Sequence, residues 1–333
     1  MNWENVRFGK FLLKVAYVGT RYHGIAYQDE SIPTIDLELF KALTKTCLIK
    51  DRVSCGYSRC GRTDGGVHAL SNFVALQLRT KPDGSPLDYV LILNRVLPKD
   101  IRILSARLVP QEFDARFSCK SRTYRYFFTA LNGIDVDRMK RAAGYLIGSH
   151  DFRNLCKMDV NQTTNHVRTI HSVEFVKDPN LPVYQVEIRG NAFLWNMIRS
   201  IMAVLLLVGE GLEDETVVRD LLDIEVCPRK PIYEIADPAG LVLFDCKYDE
   251  EIMEGTETNE EALFELRQAL SSSFRDCAVL QAMACIEPDK LKTALRMKYT
   301  KLMDRGTAPS LDEKIQSANN KKRRLDDQGG EPD

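Results

Sequence analysis

Cys60-Gly61-Arg62-Thr63-Asp64-Gly65-Gly66-Val67-His68-Ala69 is the stretch on which the reading of the fold turns. It is not a phosphate loop, because no Gly-Lys-Ser/Thr follows and no strand–loop–helix carries the required glycine spacing. What it holds is an aspartate in a turn, followed by two glycines that let backbone or ligand approach closely. In an extended segment Arg62 shares the face of Asp64. A guanidinium there lowers the carboxyl pKa, so Asp64 is expected to be ionised near neutral pH. That state suits a nucleophile or a base and not a general acid. A structural ion pair in a turn would read the same way. Cys60 with His68 as a nucleophile–base pair, or Cys55, Cys60 and His68 as metal ligands, fit no closed zinc spacing, and no metal site is expected.

Outward from this loop the chain reads as short strands and separate helices. Residues 11–17 (FLLKVAY) alternate with period two, and Val74, Leu76 and Leu78 mark another strand. Thr34 caps an amphipathic stretch to about Cys47, with Ile35, Leu39, Leu43 and Cys47 on one stripe. Tyr124, Tyr126 and Phe128 alternate on a strand, and Asp135 to Gly148 reads as a capped helix stopped by Gly148. Val183 to Arg189 is a strand that runs through Gly190-Asn191 into a helix over about Asn196 to Leu207. Leu241 to Tyr248 is a final strand. Strands without regular β-α alternation predict an α+β fold with a largely antiparallel sheet.

Composition narrows the class. The 333 residues are 44% hydrophobic and 28% charged, a balance that excludes wholesale disorder. The longest apolar run, Ile201 to Val208, is too short to cross a bilayer, and Met1-Asn2-Trp3-Glu4 lacks the basic-then-apolar start of a signal peptide. Nine scattered cysteines without a C-x-x-C pair predict neither a disulfide framework nor zinc, and point to a reducing compartment. The net charge of −1 hides a block over 249–265 with eight acids and no base, so the remainder carries +7 and has room for a basic face. Arg116, Lys120, Arg122 and Arg125 put four cations and no acid into 116–126, a candidate phosphate-contacting stripe. A solvated strand face would look the same.

Domain organisation is read as a lobe over 1–130 carrying Asp64 and a second over 131–248 carrying Arg199, a lone cation in a very apolar helix. An acidic linker follows over 249–259, then a helical extension over 260–304 and a disordered basic and polar tail over 305–333. Lys321-Lys322-Arg323-Arg324 in that tail is either a nuclear address or a merely soluble end.

At Gly61 to Ala69 the chain resembles the TruA family of tRNA pseudouridine synthases, whose catalytic motif is G-R-T-D-x-G-V-H-A. Tyr17-Val18-Gly19-Thr20-Arg21-Tyr22-His23-Gly24 resembles the family's opening Y-x-G-x-x-[FY]-x-G. Leu93 to Ile101 (LNRVLPKDI) resembles L-N-x-x-L-P-x-D-I. Phe113 to Ser118 and Arg122 to Tyr126 resemble F-x-A-R-x-S and R-x-Y-x-Y. Gly148 to Phe152 resembles G-x-H-D-F, and Ala192 to Arg199 resembles A-F-[LV]-x-x-M-[VI]-R. The motifs keep the family's order over about 15–245. Gly24-Ile25-Ala26-Tyr27-Gln28 departs from the Gly-Trp-Gln of bacterial members. With Tyr57 to Cys60, Asp151 to Val160, Leu241 to Cys246 and Tyr299 to Arg305, it resembles the eukaryotic subfamily acting at positions 38 and 39 of tRNA.

The resemblance implies the pseudouridine synthase fold: two related α/β lobes around a central, mainly antiparallel sheet, with the active-site cleft between them. It implies isomerisation of uridine to pseudouridine in the tRNA anticodon stem-loop, on a base that has left the stack. Asp64 would then be the catalytic carboxylate, Tyr124 the ring packing on the base and Leu194 an apolar wall. Arg199 would keep Asp64 charged, and Arg62 would contact RNA and fill the space the base vacates. Without the resemblance Tyr124 and Leu194 read as core. His68 and His150 take structural hydrogen-bonding roles. No metal and no organic cofactor are implied, and the implied partner is tRNA, bound by a homodimer, with no membrane and a cytoplasmic or nuclear location. The alternatives are a synthase acting at other tRNA or RNA positions, a catalytically silent tRNA-binding protein on the same scaffold, and an aspartate-nucleophile hydrolase. No D-x-D, metal cluster or phosphate loop supports the last.

Overall fold

In the computed structural model, which describes residues 2–130, 133–161, 164–179, 183–254, 256–268 and 299–328, the apolar run at the start of the chain forms strand β1 (Phe8–Tyr17). The described chain separates into two units, one of 2–127 with 237–268, the other of 128–236 with 299–328. In the first unit β1 lies between β3 (His68–Arg79) and β4 (Ile101–Leu108), antiparallel to both. The short β2 (Ser58–Arg59) adds to β3, and β5 (Ser121–Thr129) follows in the chain. The late strand β9 (Leu241–Lys247) pairs parallel with β3 and antiparallel with β5. Leu12, Phe73, Leu76, Leu78 and Leu243 are fully buried in this sheet. Helix α1 (Ile35–Lys45) starts as predicted at Thr34, whose hydroxyl accepts from Leu37 N at 3.2 Å. Helix α2 (Tyr89–Asn94) is capped by Asp88 in the same way.

The second unit holds an antiparallel meander of β6 (Gly148–Asp151), β7 (Val167–Lys177) and β8 (Val183–Gly190). Helix α3 (Val136–Gly144) packs on α4 (Met197–Gly209), and α5 (Val217–Leu222) lies beside them. The predicted helix from Asp135 begins where expected, with the Asp135 carboxylate accepting from Arg138 N. It ends at Gly144 and not at Gly148. Leu146 N and Ile147 N bond back to Ala143 O and Gly144 O, and the tightened turn delivers Gly148 directly into β6. All strand pairings within the described units are antiparallel except β3 with β9, so the architecture is α+β.

Four segments differ from the sequence reading. β9 lies inside the predicted second lobe of 131–248, yet it belongs to the first unit, because its backbone is hydrogen-bonded to β3 and β5. The acidic stretch is not a free linker. After helix α6 (Glu250–Met253), Asn259 N bonds Leu104 O, Lys14 reaches Thr258, and Ala262 and Leu266 pack with Ala16, Val18 and Leu104. Arg102, buried, pairs with Glu265 at 2.6 Å. The acids sit on the outer side of a segment whose apolar side covers β1 and β4. The tail is not disordered through 305–328 either, because Leu311–Gln328 is a helix. Ser310 Oγ accepts from Glu313 N and the Glu313 carboxylate accepts from Ser310 N, a capping box. Of the predicted extension over 260–304, residues 260–268 are helical and go with the first unit, while Tyr299 to Asp304 go with the second. Leu270, Leu291 and Leu295 of that reading lie outside the described residues. No described helix is long and apolar enough to cross a membrane.

Candidate active site

Residues 61–67 form an irregular loop that enters β3 at His68, and the opening motif of the chain grips it from several sides. Gly66 N donates to Tyr22 O at 3.1 Å and Ile25 N to Thr63 O at 3.2 Å. The Thr63 hydroxyl meets the Tyr17 hydroxyl at 2.6 Å. Gly19 and Gly24 allow this approach: a Cβ on Gly19 would stand 1.9 Å from Val67 O, and Gly24, at φ +94°, would put one 2.7 Å from Thr63 O. The grip is in turn anchored on Asp100, whose carboxylate pairs with Arg21 at 2.7 Å and accepts from the Tyr22 hydroxyl at 2.9 Å. Two motifs far apart in sequence therefore meet at the loop. Asp64 is half-buried in it and Arg62 is exposed.

Tyr124 reaches the same unit from β5. It lies opposite Leu243 of β9, and Leu243 on its other side pairs with Ala69 of β3. Tyr124 is thus two strand spacings, about 10 Å, from the strand that leaves the Asp64 loop. It is buried, and burial pushes its phenol far up, so the hydroxyl stays protonated. Asn72 ties the loop to β3. Fully buried, it accepts from Gly61 N at 3.0 Å and donates to Gly61 O at 3.0 Å and Tyr17 Oη at 3.2 Å. The sequence reading missed Asn72, although an amide inside an apolar strand (SNFVALQL) was its signal.

The second unit carries Leu194 and Arg199. Asn196, in the left-handed region at φ 58°, stands at the N-cap position of α4 without a side-chain capping bond, and Met197 N bonds Leu194 O. Asparagine tolerates that conformation better than most residues. Leu194 is buried, while Arg199 is half-buried rather than enclosed, with Nε donating to Ala236 O at 2.7 Å. Trp195, between them and 41% exposed, has the Lys157 ammonium 3.9 Å from its ring centre.

The predicted cationic stripe does not form a single face. Arg116 and Lys120 are exposed, the latter paired with Asp249 at 3.2 Å. Arg125 stacks on Phe244 with its guanidinium carbon 3.3 Å from the ring centre. Arg122 points inward: it is buried and donates to Arg116 O at 2.8 Å and Cys60 O at 3.3 Å. Strand alternation puts Arg122 on the Tyr124 side of β5, so it cannot share the outer face with Arg125. Both histidines make the hydrogen bonds that the sequence reading expected. His68 Nδ1 accepts from Gly19 N at 3.2 Å and a His150 ring nitrogen meets Ile147 O at 3.0 Å.

A sequence profile of tRNA pseudouridine synthases matches residues 142–249. A bovine tRNA pseudouridine(38/39) synthase is 38% identical, over 91% of this chain and 75% of its own length. This chain belongs to the TruA family of tRNA pseudouridine synthases. Within the family, the yeast (Saccharomyces cerevisiae) tRNA pseudouridine(38/39) synthase is 40% identical over 74% of this chain and 59% of its own length. An archaeal tRNA pseudouridine synthase A, from Methanosarcina mazei, is 36% identical over 72% of this chain and 85% of its own length. Membership of the synthase family brings with it the pseudouridine synthase fold assigned from the motifs, and the α+β units agree with it.

Proposed function

We propose that this synthase converts uridine to pseudouridine in the anticodon stem-loop of tRNA, at positions 38 and 39, with Asp64 as the catalytic carboxylate. The observation that carries the reading is the 38% identity to the bovine tRNA pseudouridine(38/39) synthase across 91% of the chain. The geometry of the first unit supports it. Asp64 is half-buried in a loop held by Tyr22, Ile25 and Asn72, so a carboxylate is presented without freedom to wander.

In the reaction the N1–C1′ bond breaks, the freed base turns, and C5 bonds to C1′. The C5 hydrogen leaves as a proton and N1 gains one, so substrate and product have the same mass. A carboxylate at Asp64 is able either to attack C1′ or to remove a proton at C2′. Tyr124 offers the base a ring. Leu194 and Arg199 take the wall and counter-charge roles that the family resemblance implies. Arg62, Arg116, Lys120 and Arg125 are the cations for RNA. The tRNA-bound form we infer is a homodimer, checked by light scattering, and a pool in the nucleus as well as the cytoplasm is tested by removing Lys321 to Arg324.

The test is pseudouridine mapping of total tRNA from cells carrying wild type, Asp64→Asn or no protein, with turnover and tRNA binding measured on the purified proteins. Wild type should restore modification at 38 and 39, and Asp64→Asn should bind tRNA with turnover below detection. Modification confined to another region would refute the positional assignment, and no modification by wild type would leave a tRNA-binding protein. Turnover by Asp64→Asn within about tenfold of wild type, or 1.4 kcal/mol, would remove Asp64 from the catalytic role.

A further inference from the structure

Cys60, Cys119 and Cys246 come from the bend before the Asp64 loop, the turn before β5, and β9. All are buried, and their sulfurs lie within 4.8 Å of one another. The Arg122 guanidinium faces them, with one nitrogen on Cys60 O at 3.3 Å. Tyr248 closes the group: its hydroxyl donates to Ala115 O at 2.7 Å and lies in reach of the Cys60 sulfur. With the O–H hydrogen committed to Ala115, the phenol oxygen keeps lone pairs for the sulfur side.

Magnitudes decide what such a group can do. A disulfide would need two of the sulfurs at about 2.05 Å and would leave the third thiol unused. A zinc ion with Zn–S bonds of about 2.3 Å in tetrahedral geometry holds its sulfurs about 3.8 Å apart, a contraction of no more than about 1 Å from the 4.8 Å within which the three sulfurs lie. Three thiolates around Zn²⁺ carry −1, and Arg122 brings the buried total to zero.

We propose that Cys60, Cys119 and Cys246 bind one zinc(II) ion, with the Tyr248 hydroxyl oxygen as a neutral fourth donor and Arg122 as counter-cation. Three Zn–S bonds form and the thiol protons pass to solvent. The ion clamps together the segment entering the Asp64 loop, the start of β5 and β9. Its role is structural and takes no part in the isomerisation, so the site stands whether or not the proposed substrate is right. Sequence spacing hid it, because the ligands are contributed by three distant segments.

The experiment measures metal content of the full-length protein by mass spectrometry, then removes any metal under reducing conditions and titrates with Co(II) and Zn(II). One equivalent of Co(II) should give sulfur-to-cobalt charge-transfer absorption of three-thiolate intensity, displaced by Zn(II). Cys119→Ser and Cys246→Ser should lose that intensity while far-UV circular dichroism confirms folding. Cys55→Ser, whose thiol bonds Arg52 O outside the group, should retain it. For variants that do not fold, the wild-type urea midpoint with and without Zn(II) is the readout, and zinc should raise it. Absence of Co(II)–thiolate absorption in folded, reduced wild type would overturn the proposal. So would full intensity in Cys119→Ser, an unchanged midpoint with zinc, or a disulfide joining two of the three cysteines in the protein as isolated.

Discussion

The Asn72 amide bonds both polar groups of Gly61 and also the Tyr17 hydroxyl, which itself meets Thr63 beside Asp64. Removing it leaves the Gly61 N–H and C=O buried and unsatisfied, each costing about 1–3 kcal/mol. Asn72→Ala is therefore expected to lower stability by about 2–4 kcal/mol in urea melts and to depress turnover more than tRNA affinity, since the loop that holds Asp64 loses its clamp. His68, whose imidazole burial holds below its ordinary 6.5, accepts from Gly19 N and must stay neutral to do so. The folded state binds that proton less readily than the unfolded chain. Its contribution is complete above 6.5 and is lost as pH falls from there towards the depressed folded value. Wild-type stability should fall as pH drops below about 6.5. His68→Gln should show a smaller fall, with His166, also held down by burial, keeping the remainder. An equal fall in both proteins would count against the assignment.

At the scale of elements, residues 256–268 behave as an added layer on β1 and β4. Leu266 is 1% exposed and packs with Ala16, Val18 and Leu104. Leu266→Ala should cost about 2–4 kcal/mol by urea melt and open 256–268 to proteolysis, which a solvated acidic linker would not do. The C-terminal segment is held in a comparable way in the second unit. The Glu213 carboxylate, nearly buried, accepts from the Tyr299 hydroxyl at 2.6 Å and Leu302 N at 2.7 Å, with Leu302 fully buried behind it. Both dockings join polar groups to one or two leucines, so each stretch reads as plain surface until its partner is known.

For the whole molecule the net charge of −1 conceals opposite local fields, and tRNA binding should be steeply salt-dependent despite it. Arg116 and Arg122 separate two origins of such an effect. Arg116→Ala removes an exposed cation, so affinity should drop similarly for all tRNAs, with a salt slope shallower by about one and an unchanged melt. Arg122→Ala removes a buried guanidinium that satisfies two carbonyls, so the melt should fall first. A binding defect in Arg122→Ala without loss of stability would return it to the RNA-facing set.

Local order was readable because its causes are local. The Thr34 and Asp135 caps, the period-two runs in β5 and β8, and the G-R-T-D-G-G-V-H-A motif each lie within a few contiguous residues, whereas β1, read as alternating, is buried on both faces between β3 and β4. From these the α+β class and the family followed without coordinates. β7 also alternates (VRTIHSVEFVK) and Ser310-Leu311-Asp312-Glu313 carries a capping box, so both were readable but missed. What only the tertiary structure decided was the choice of distant partner. β9 joins β3 and β5 rather than the lobe that precedes it, Arg122 turns in while Arg125 stays out, Ala262 and Leu266 cover β1 and β4, and three remote cysteines converge. Burial and long-range pairing depend on which surfaces the folded chain leaves uncovered, a property that no window of contiguous sequence contains.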